Sequence, residues 1–290
     1  MTGNKFGYAA FALAAVALVL VLQKPKLERQ GSTGSAFEHV MQTRTLRCSY
    51  SPLSPFLTVD PTTKKIGGLF RDVMDEIGQR LNIKIDWVEE VGYGQISTGF
   101  LTGRYDAFCS VLWATPARGT AMNFTSPLYY NRVSPCVRAD TTAYDQSVEG
   151  LNAPDKTLIA YDGDVSEQVT RTLFPRAKLM IMSENMSFGE AMQNITTGKA
   201  DALATCDRTV VDDLNKTGNT LKLAAPQNPI TTMKVALALP LHDEALKNMI
   251  DLAIFDIQAD GTLKKMMTQA IGQDRMNDTV IIPAVTSGVN

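Results

Sequence analysis

From position 46 almost to the end of the chain, short apolar runs alternate with stretches whose apolar positions recur every three or four residues. The short runs lie at 46–50, 83–88, 107–112, 157–160, 178–182, 201–205 and 235–239, and their length and flanking turn residues predict buried strands. Helical spacing appears at Leu69, Phe70, Val73, Ile77 and Leu81, and over 96–101. It returns at Ala191, Met192 and Ile195, over 242–258 with Leu246, Ile250, Ile254 and Ile257, and in a last helix ending near Ile271. Asp164 with Glu167, and Ser187 with Glu190, have capping-box spacing at two helix starts. Positions 131–138 are extended and mixed, which suits a connecting strand. Strands and helices in alternation argue for an α/β fold with mostly parallel sheets.

The order of elements repeats. Gly103-Arg104-Tyr105-Asp106-Ala107 and Gly198-Lys199-Ala200-Asp201-Ala202 each follow a helix and each lead into an apolar strand. Two lobes of about 100 residues each fit ordinary domain sizes. Ligands on such sheets bind beyond the carboxyl ends of the strands. Arg118 and the turn at Gly163 both fall at such ends, one in each lobe.

The stretch 113–118, WATPAR, carries the clearest chemistry. Thr115 is a good N-cap and Pro116 suits the first helical position, which puts Arg118 in the first turn. A guanidinium beside free helix N–H groups makes a place for a carboxylate or phosphate. The alternative is an arginine paired with a neighbouring acid.

Composition narrows the function classes. The chain has 290 residues, a formal net charge of −2 and 44% apolar residues, so it can bury a core and shows no basic surplus for nucleic acid. No zinc, thiol-redox, nucleophile-elbow or P-loop motif occurs, and no cofactor or metal is expected. Uncharged residues run from Phe6 to Leu22, within the lower range for a membrane span. No small-x-small site follows directly, so the segment reads as an uncleaved anchor, with a signal peptide as the alternative. Cys48, Cys109 and Cys206 sit in or at the end of apolar runs and are expected as buried free thiols. One disulfide involving Cys136 is left open.

Several marks together resemble the extracytoplasmic solute-binding proteins of polar-amino-acid ABC transporters. They are Gly68 with Asp72, Gly103-x-x-Asp106, Thr115-x-x-Arg118, Phe124-Thr125-Ser126-Pro127 with Tyr129, Gly198-x-x-Asp201-Ala202 and Asp260-Gly261-Thr262. The resemblance covers residues 45–272. It implies a two-lobed periplasmic-binding-protein fold, with two crossover strands and a cleft that closes on a small molecule. It divides the chain into an anchor or signal (1–23), a linker (24–44), a first lobe (45–136), a second lobe (137–233), a return to the first lobe (234–272) and a tail (273–290).

The resemblance also implies that Arg118 holds a ligand carboxylate, with Thr115 as cap and hydroxyl contact. Phe56 and Trp113 become walls, and Val111, apolar where the family often has a hydroxyl or glycine, offers its backbone carbonyl. In the second lobe Asp164 stands at the helix cap where the family often has threonine or serine. Cys206 occupies the usual place of an ammonium-binding aspartate, with Asp207 one position further on. The expected function is binding, without catalysis, of a small carboxylate such as an amino acid, for delivery to an ABC permease by a monomer. Alternatives are a ligand-sensing lobe with a membrane partner, and a periplasmic dehydratase of a cyclic carboxylate on the same fold.

Topology sets two signals against each other. Lys5 precedes the apolar run and Lys24, Lys26 and Arg29 follow it, which mildly favours a cytoplasmic body. The fold resemblance requires an exported one, anchored in the inner membrane and facing the periplasm, and decides the expectation. Alkaline phosphatase fused after Ile271 should therefore be active in a bacterial host. Activity of a cytoplasmic reporter alone at that position would overturn the export.

Overall fold

A computed structural model describes residues 35–183, 186–218 and 220–281. Among them no helix is long and apolar enough to cross a membrane, and the expected anchor from Phe6 to Leu22 lies outside the described residues.

The chain builds α1 (Ala36–Thr43), β1 (Thr45–Tyr50), a small hairpin of β2 (Thr58–Val59) and β3 (Ile66–Gly67), α2 (Leu69–Leu81) and β4 (Lys84–Glu90). It continues through α3 (Ile96–Leu101), β5 (Ala107–Phe108), β6 (Asn123–Phe124) and the long β7 (Tyr129–Arg138). Then come β8 (Thr157–Tyr161), α4 (Val165–Leu173), β9 (Lys178–Met182), α5 (Phe188–Thr196), β10 (Ala202–Asp207), α6 (Arg208–Leu214) and β11 (Leu221–Leu223). Last are β12 (Thr231–Val235), β13 (Ala238–Leu239), α7 (Glu244–Ala259), α8 (Thr262–Ile271) and β14 (Thr279–Val280).

Two sheets define two lobes. The first has the order β4-β1-β5-β13-β6; the second runs β11-β7-β10-β8-β9, with β12 and β14 also paired to β7. In each lobe the central pairs are parallel, β4-β1-β5 and β10-β8-β9. The strands that cross between lobes run the other way, so β7 and β13 make antiparallel neighbours and both sheets are mixed. The chain leaves the first lobe along β7 and returns along β12, paired antiparallel from Tyr129–Val235 to Val133–Thr231. The first lobe's main core packs α2, α7 and α8 on its sheet through Phe70, Met74, Ile77, Ile250, Ile254 and Met267. The second lobe is apolar on both faces, with Ile159, Met192, Ile195 and Leu203 on one and Leu151, Leu158, Phe174 and Ala204 on the other.

The repeated Gly-x-x-Asp has a physical cause. Gly103 and Gly198 both have left-handed backbone, with φ of 66° and 77°, where a side chain is strained. Three residues later each aspartate closes a two-way link to a neighbouring strand. Asp106 accepts from Arg47 N–H at 2.9 Å while its own N–H donates to the Arg47 carbonyl at 2.9 Å. Asp201 does the same with Thr157, at 2.8 Å in both directions. The motif thus starts the central strand of each lobe in register with its parallel neighbour. Asp106, fully buried, also takes the Arg47 guanidinium on both oxygens (2.8 and 3.1 Å) and His39 Nδ1 at 3.0 Å. The salt bridge and its hydrogen bond raise the Arg47 pKa.

Four expectations need correction. Within the span assigned to a linker, Ala36–Thr43 is a helix with a full Ser35–Glu38 capping box. Its Val40 is buried in the first lobe's core, and the Phe37 N–H donates to Asp243. The strand expected over 107–112 is regular only at Ala107–Phe108. The helix expected after Thr115 is a single 3₁₀ turn, Arg118–Thr120, although the Thr115 hydroxyl does accept from Arg118 N–H at 3.3 Å. The cysteines are not free: Cys48 bridges Cys109 and Cys136 bridges Cys206, with Cα atoms 5.5 and 5.7 Å apart. Adjacent strands bring residues 61 and 70 positions apart within bridging reach, and linear spacing does not reveal that. The tail is also partly built: Gln273–Asp278 forms 3₁₀ turns and β14 pairs with β7.

Removing the buried Asp106 leaves a buried strand N–H and the half-buried Arg47 guanidinium without their acceptor, whereas Asp201 is one-third exposed. Asp106→Ala should cost about 3 kcal/mol and Asp201→Ala about 1 kcal/mol by urea denaturation. Equal costs would show that the buried cluster adds nothing to the strand link.

Candidate ligand-binding site

The turns at the carboxyl ends of the strands converge from both lobes on a cleft of about 860 Å³. That is ample for a small organic ligand. The first lobe contributes the loop after β1, the glycine-flanked turn after β4 and the stretch 111–122. The second contributes the β8–α4 turn, the start of α5 and the end of β10.

The loop after β1 is held by Gly68. The α2 N-terminus lies so close that a Cβ on Gly68 would sit 2.7 Å from the Phe56 carbonyl, and its φ is +92°. That approach lets Phe70 N–H bond the Phe56 carbonyl at 2.9 Å. It seats the Phe56 ring in the cleft wall, stacked on Tyr129 with centroids 6.4 Å apart. Val111 and Trp113 follow β5 along the floor. Trp113 is bridged to Val235 of β12, and its indole donates to Asn131 Oδ1 at 3.2 Å. Asn131 in turn donates to Asp207 Oδ2 at 2.5 Å.

A register shift between Leu203 and Cys206 ends β10 irregularly. The shift leaves Cys206 buried in its disulfide and brings Asp207 to the cleft. Asp207 also caps α6, accepting from Thr209 N–H at 2.6 Å. Burial raises its pKa above 3.8, opposed by the bonds from Asn131, Thr209 and Val210.

Arg118 lies at the centre. Its Nη1 donates to the Trp113 carbonyl at 3.1 Å, and its guanidinium carbon lies 5.8 Å from the centroid of Tyr93. Its Nη2 crosses the cleft and donates to Asp164 Oδ2 at 2.7 Å. The other oxygen of Asp164 accepts from Ser166 N–H at 2.9 Å, capping α4. The two side chains are only 13% and 22% exposed. Burial pushes the Tyr93 hydroxyl up to about 12 and the Tyr161 hydroxyl well above its usual value.

Of the residues singled out in the sequence, Arg118, Trp113, Val111, Phe56, Asp164 and Asp207 line the cleft together. Thr115 does not: its hydroxyl accepts from the Arg118 backbone N–H behind the cleft. Tyr93, Asn131 and Tyr161 also line the cleft and were not anticipated. Tyr93 had a signal, an aromatic between two glycines just past the end of a strand. Asn131 had a weaker one, the lone amide in a mixed crossover strand.

Comparison with known proteins agrees with the fold. "Putative amino-acid ABC transporter-binding protein PatH" of Vibrio harveyi is 28% identical over 213 residues, 72% of this chain and 82% of that protein. "Probable amino-acid-binding protein YxeM" of Bacillus subtilis is 26% identical over 212 residues, covering 72% and 78%. A crystal structure of an ancestral amino-acid-binding protein, a precursor of cyclohexadienyl dehydratase, superposes with a TM-score of 0.70 at 25% identity, covering 82% of this chain and all of that one. The profile of the bacterial extracellular solute-binding proteins, family 3, matches residues 46–273. With its two lobes, paired crossover strands and cleft at the strand ends, the chain belongs to that family.

Proposed function

We propose that the protein captures a small nitrogenous solute with a basic group, an amino acid or a related amine, and delivers it to an ABC permease by closing its lobes. One observation carries the choice of ligand. Among the described residues lining the cleft, the carboxylates are Glu90, Asp162, Asp164 and Asp207, and Arg118 is the only cationic side chain. A cleft of low dielectric with a surplus of one sign attracts the opposite sign. Asp207 is the partner for an ammonium group. Trp113 and Tyr161 supply faces that a cation can lie against. Closure follows if the solute contacts both lobes, because only a contact absent from the open form shifts the balance. The relatives named as amino-acid-binding proteins support binding rather than turnover. We also propose that the protein works as a monomer, tethered at the periplasmic face by the segment from Phe6 to Leu22.

The test is a thermal-shift panel of acidic, neutral and basic amino acids and amines on the full chain in mild detergent. A basic member at 100 times its Kd should add about 2.7 kcal/mol and raise Tm by roughly 5 °C. A response confined to glutamate and aspartate would overturn the assignment.

Affinity should also depend on pH. The bound cation needs Asp207 ionised, and burial makes that carboxyl hold its proton to higher pH than an ordinary aspartate. Affinity should therefore drop by up to ~10-fold per pH unit as pH falls through the raised pKa. The stability of the unliganded protein has the opposite sign there. The native state holds this proton more tightly than the unfolded chain, so Asp207 favours folding more as pH falls. Asp207→Asn should flatten the affinity profile in calorimetry and weaken binding about 100-fold; an unchanged profile would remove Asp207 from the site.

A further inference from the structure

An arginine beside free helix N–H groups is a receptor for a carboxylate, and this cleft already contains the carboxylate. Asp164 Oδ2 takes Arg118 Nη2 at 2.7 Å and its Oδ1 takes the Ser166 N–H at the start of the nine-residue α4, at 2.9 Å. These are the two contacts that a bound carboxylate would seek. Nη1 of the same guanidinium donates to the Trp113 carbonyl, and its carbon lies 5.8 Å from the centroid of the Tyr93 ring. We propose that Asp164 is a built-in substitute for a ligand carboxylate, and that the cleft selects a carboxylate-free organic cation, a primary amine or guanidine without an acid group.

The charge balance leads to the same ligand. Once Arg118 and Asp164 cancel, the charged groups left among the described lining residues are Asp207, Asp162 and Glu90, all acidic. An incoming carboxylate would have to strip Arg118 from Asp164 and would then sit against that freed, like-charged group. An ammonium or guanidinium meets no such penalty. It finds Asp207 at the floor and the rings of Trp113 and Tyr161 beside it. The volume, about 860 Å³, leaves room for a chain of several methylenes between two cationic ends.

This inference rests on the reading of the cleft as a receptor for basic solutes, and matched pairs separate the two. Calorimetry on the full chain compares L-lysine with cadaverine and L-arginine with agmatine, which differ only in the α-carboxylate. The amine should bind at least tenfold tighter than its amino acid in both pairs. Asp164→Ser keeps a side-chain acceptor for the α4 cap while freeing Arg118, and should reverse the order, with the amino acid gaining at least tenfold. The wild-type comparison decides the matter even if that variant fails to fold. Equal or tighter binding of the amino acids by the wild-type protein would overturn the inference and leave the reading of a basic-solute receptor standing. Binding of neither member of either pair would overturn both.

Discussion

An arginine from one lobe and an aspartate from the other meet at 2.7 Å across the cleft, each less than a quarter exposed. Such a contact, a hydrogen bond between ionised groups partly withdrawn from water, contributes about 2 kcal/mol. That matters on the scale of a domain's net stability. Its larger effect is on what remains. A pair that cancels its own charge leaves the surrounding carboxylates to set the potential, so the cleft is acidic although its central residue is an arginine. The same pair ties the β8–α4 turn to the stretch 113–118. The geometry of both walls therefore depends on it.

The sequence pattern revealed the two-lobed plan because that plan is written in local chemistry. Gly103 and Gly198 are required by backbone conformation, and Asp106 and Asp201 by a strand N–H that needs an acceptor. Arg118 and the turn before Asp164 could be placed at strand ends, whereas Phe56, Val111, Trp113 and Asp207 followed only from the family resemblance. The remainder depended on contacts between distant segments. Arg118 could be read as an anion receptor or as half of an ion pair, and only the fold shows Asp164 arriving 46 residues later. The pairing of the cysteines required strand order. The helix Ala36–Thr43 was masked by its polar, serine- and glycine-containing approach, although Ser35 and Glu38 carry its capping signal. Cys206 and Asp207 could not be told apart, because a strand's faces alternate regularly until an irregularity shifts them.

The disulfides fit the extracytoplasmic setting that the family implies, where oxidised thiols persist. Each lies within one sheet: Cys48–Cys109 joins β1 to the residues after β5, and Cys136–Cys206 joins β7 to β10, which puts Cys136 in the second lobe rather than the first. Neither restrains one lobe against the other. Oxidation stiffens the two bodies while leaving their relative angle to the crossover.

That crossover has a third strand beside β7 and β12. β14 lies along the edge of β7 opposite β12, pairing Thr279 with Asn131 and Val280 with Tyr130. The turns just before it are fastened to α6 by Arg275–Asp212 and by Asp278–Arg208. The chain end therefore passes from α8 in the first lobe to the second lobe as a third span. A ribbon of two strands twists easily about its long axis, and a third strand bonded alongside stiffens it. The residue at its middle, Asn131, also holds Trp113 and Asp207. Asn131 thus joins the third strand to a carboxylate of the cleft, so the segment 273–281 and the cleft wall share one hydrogen-bonded residue.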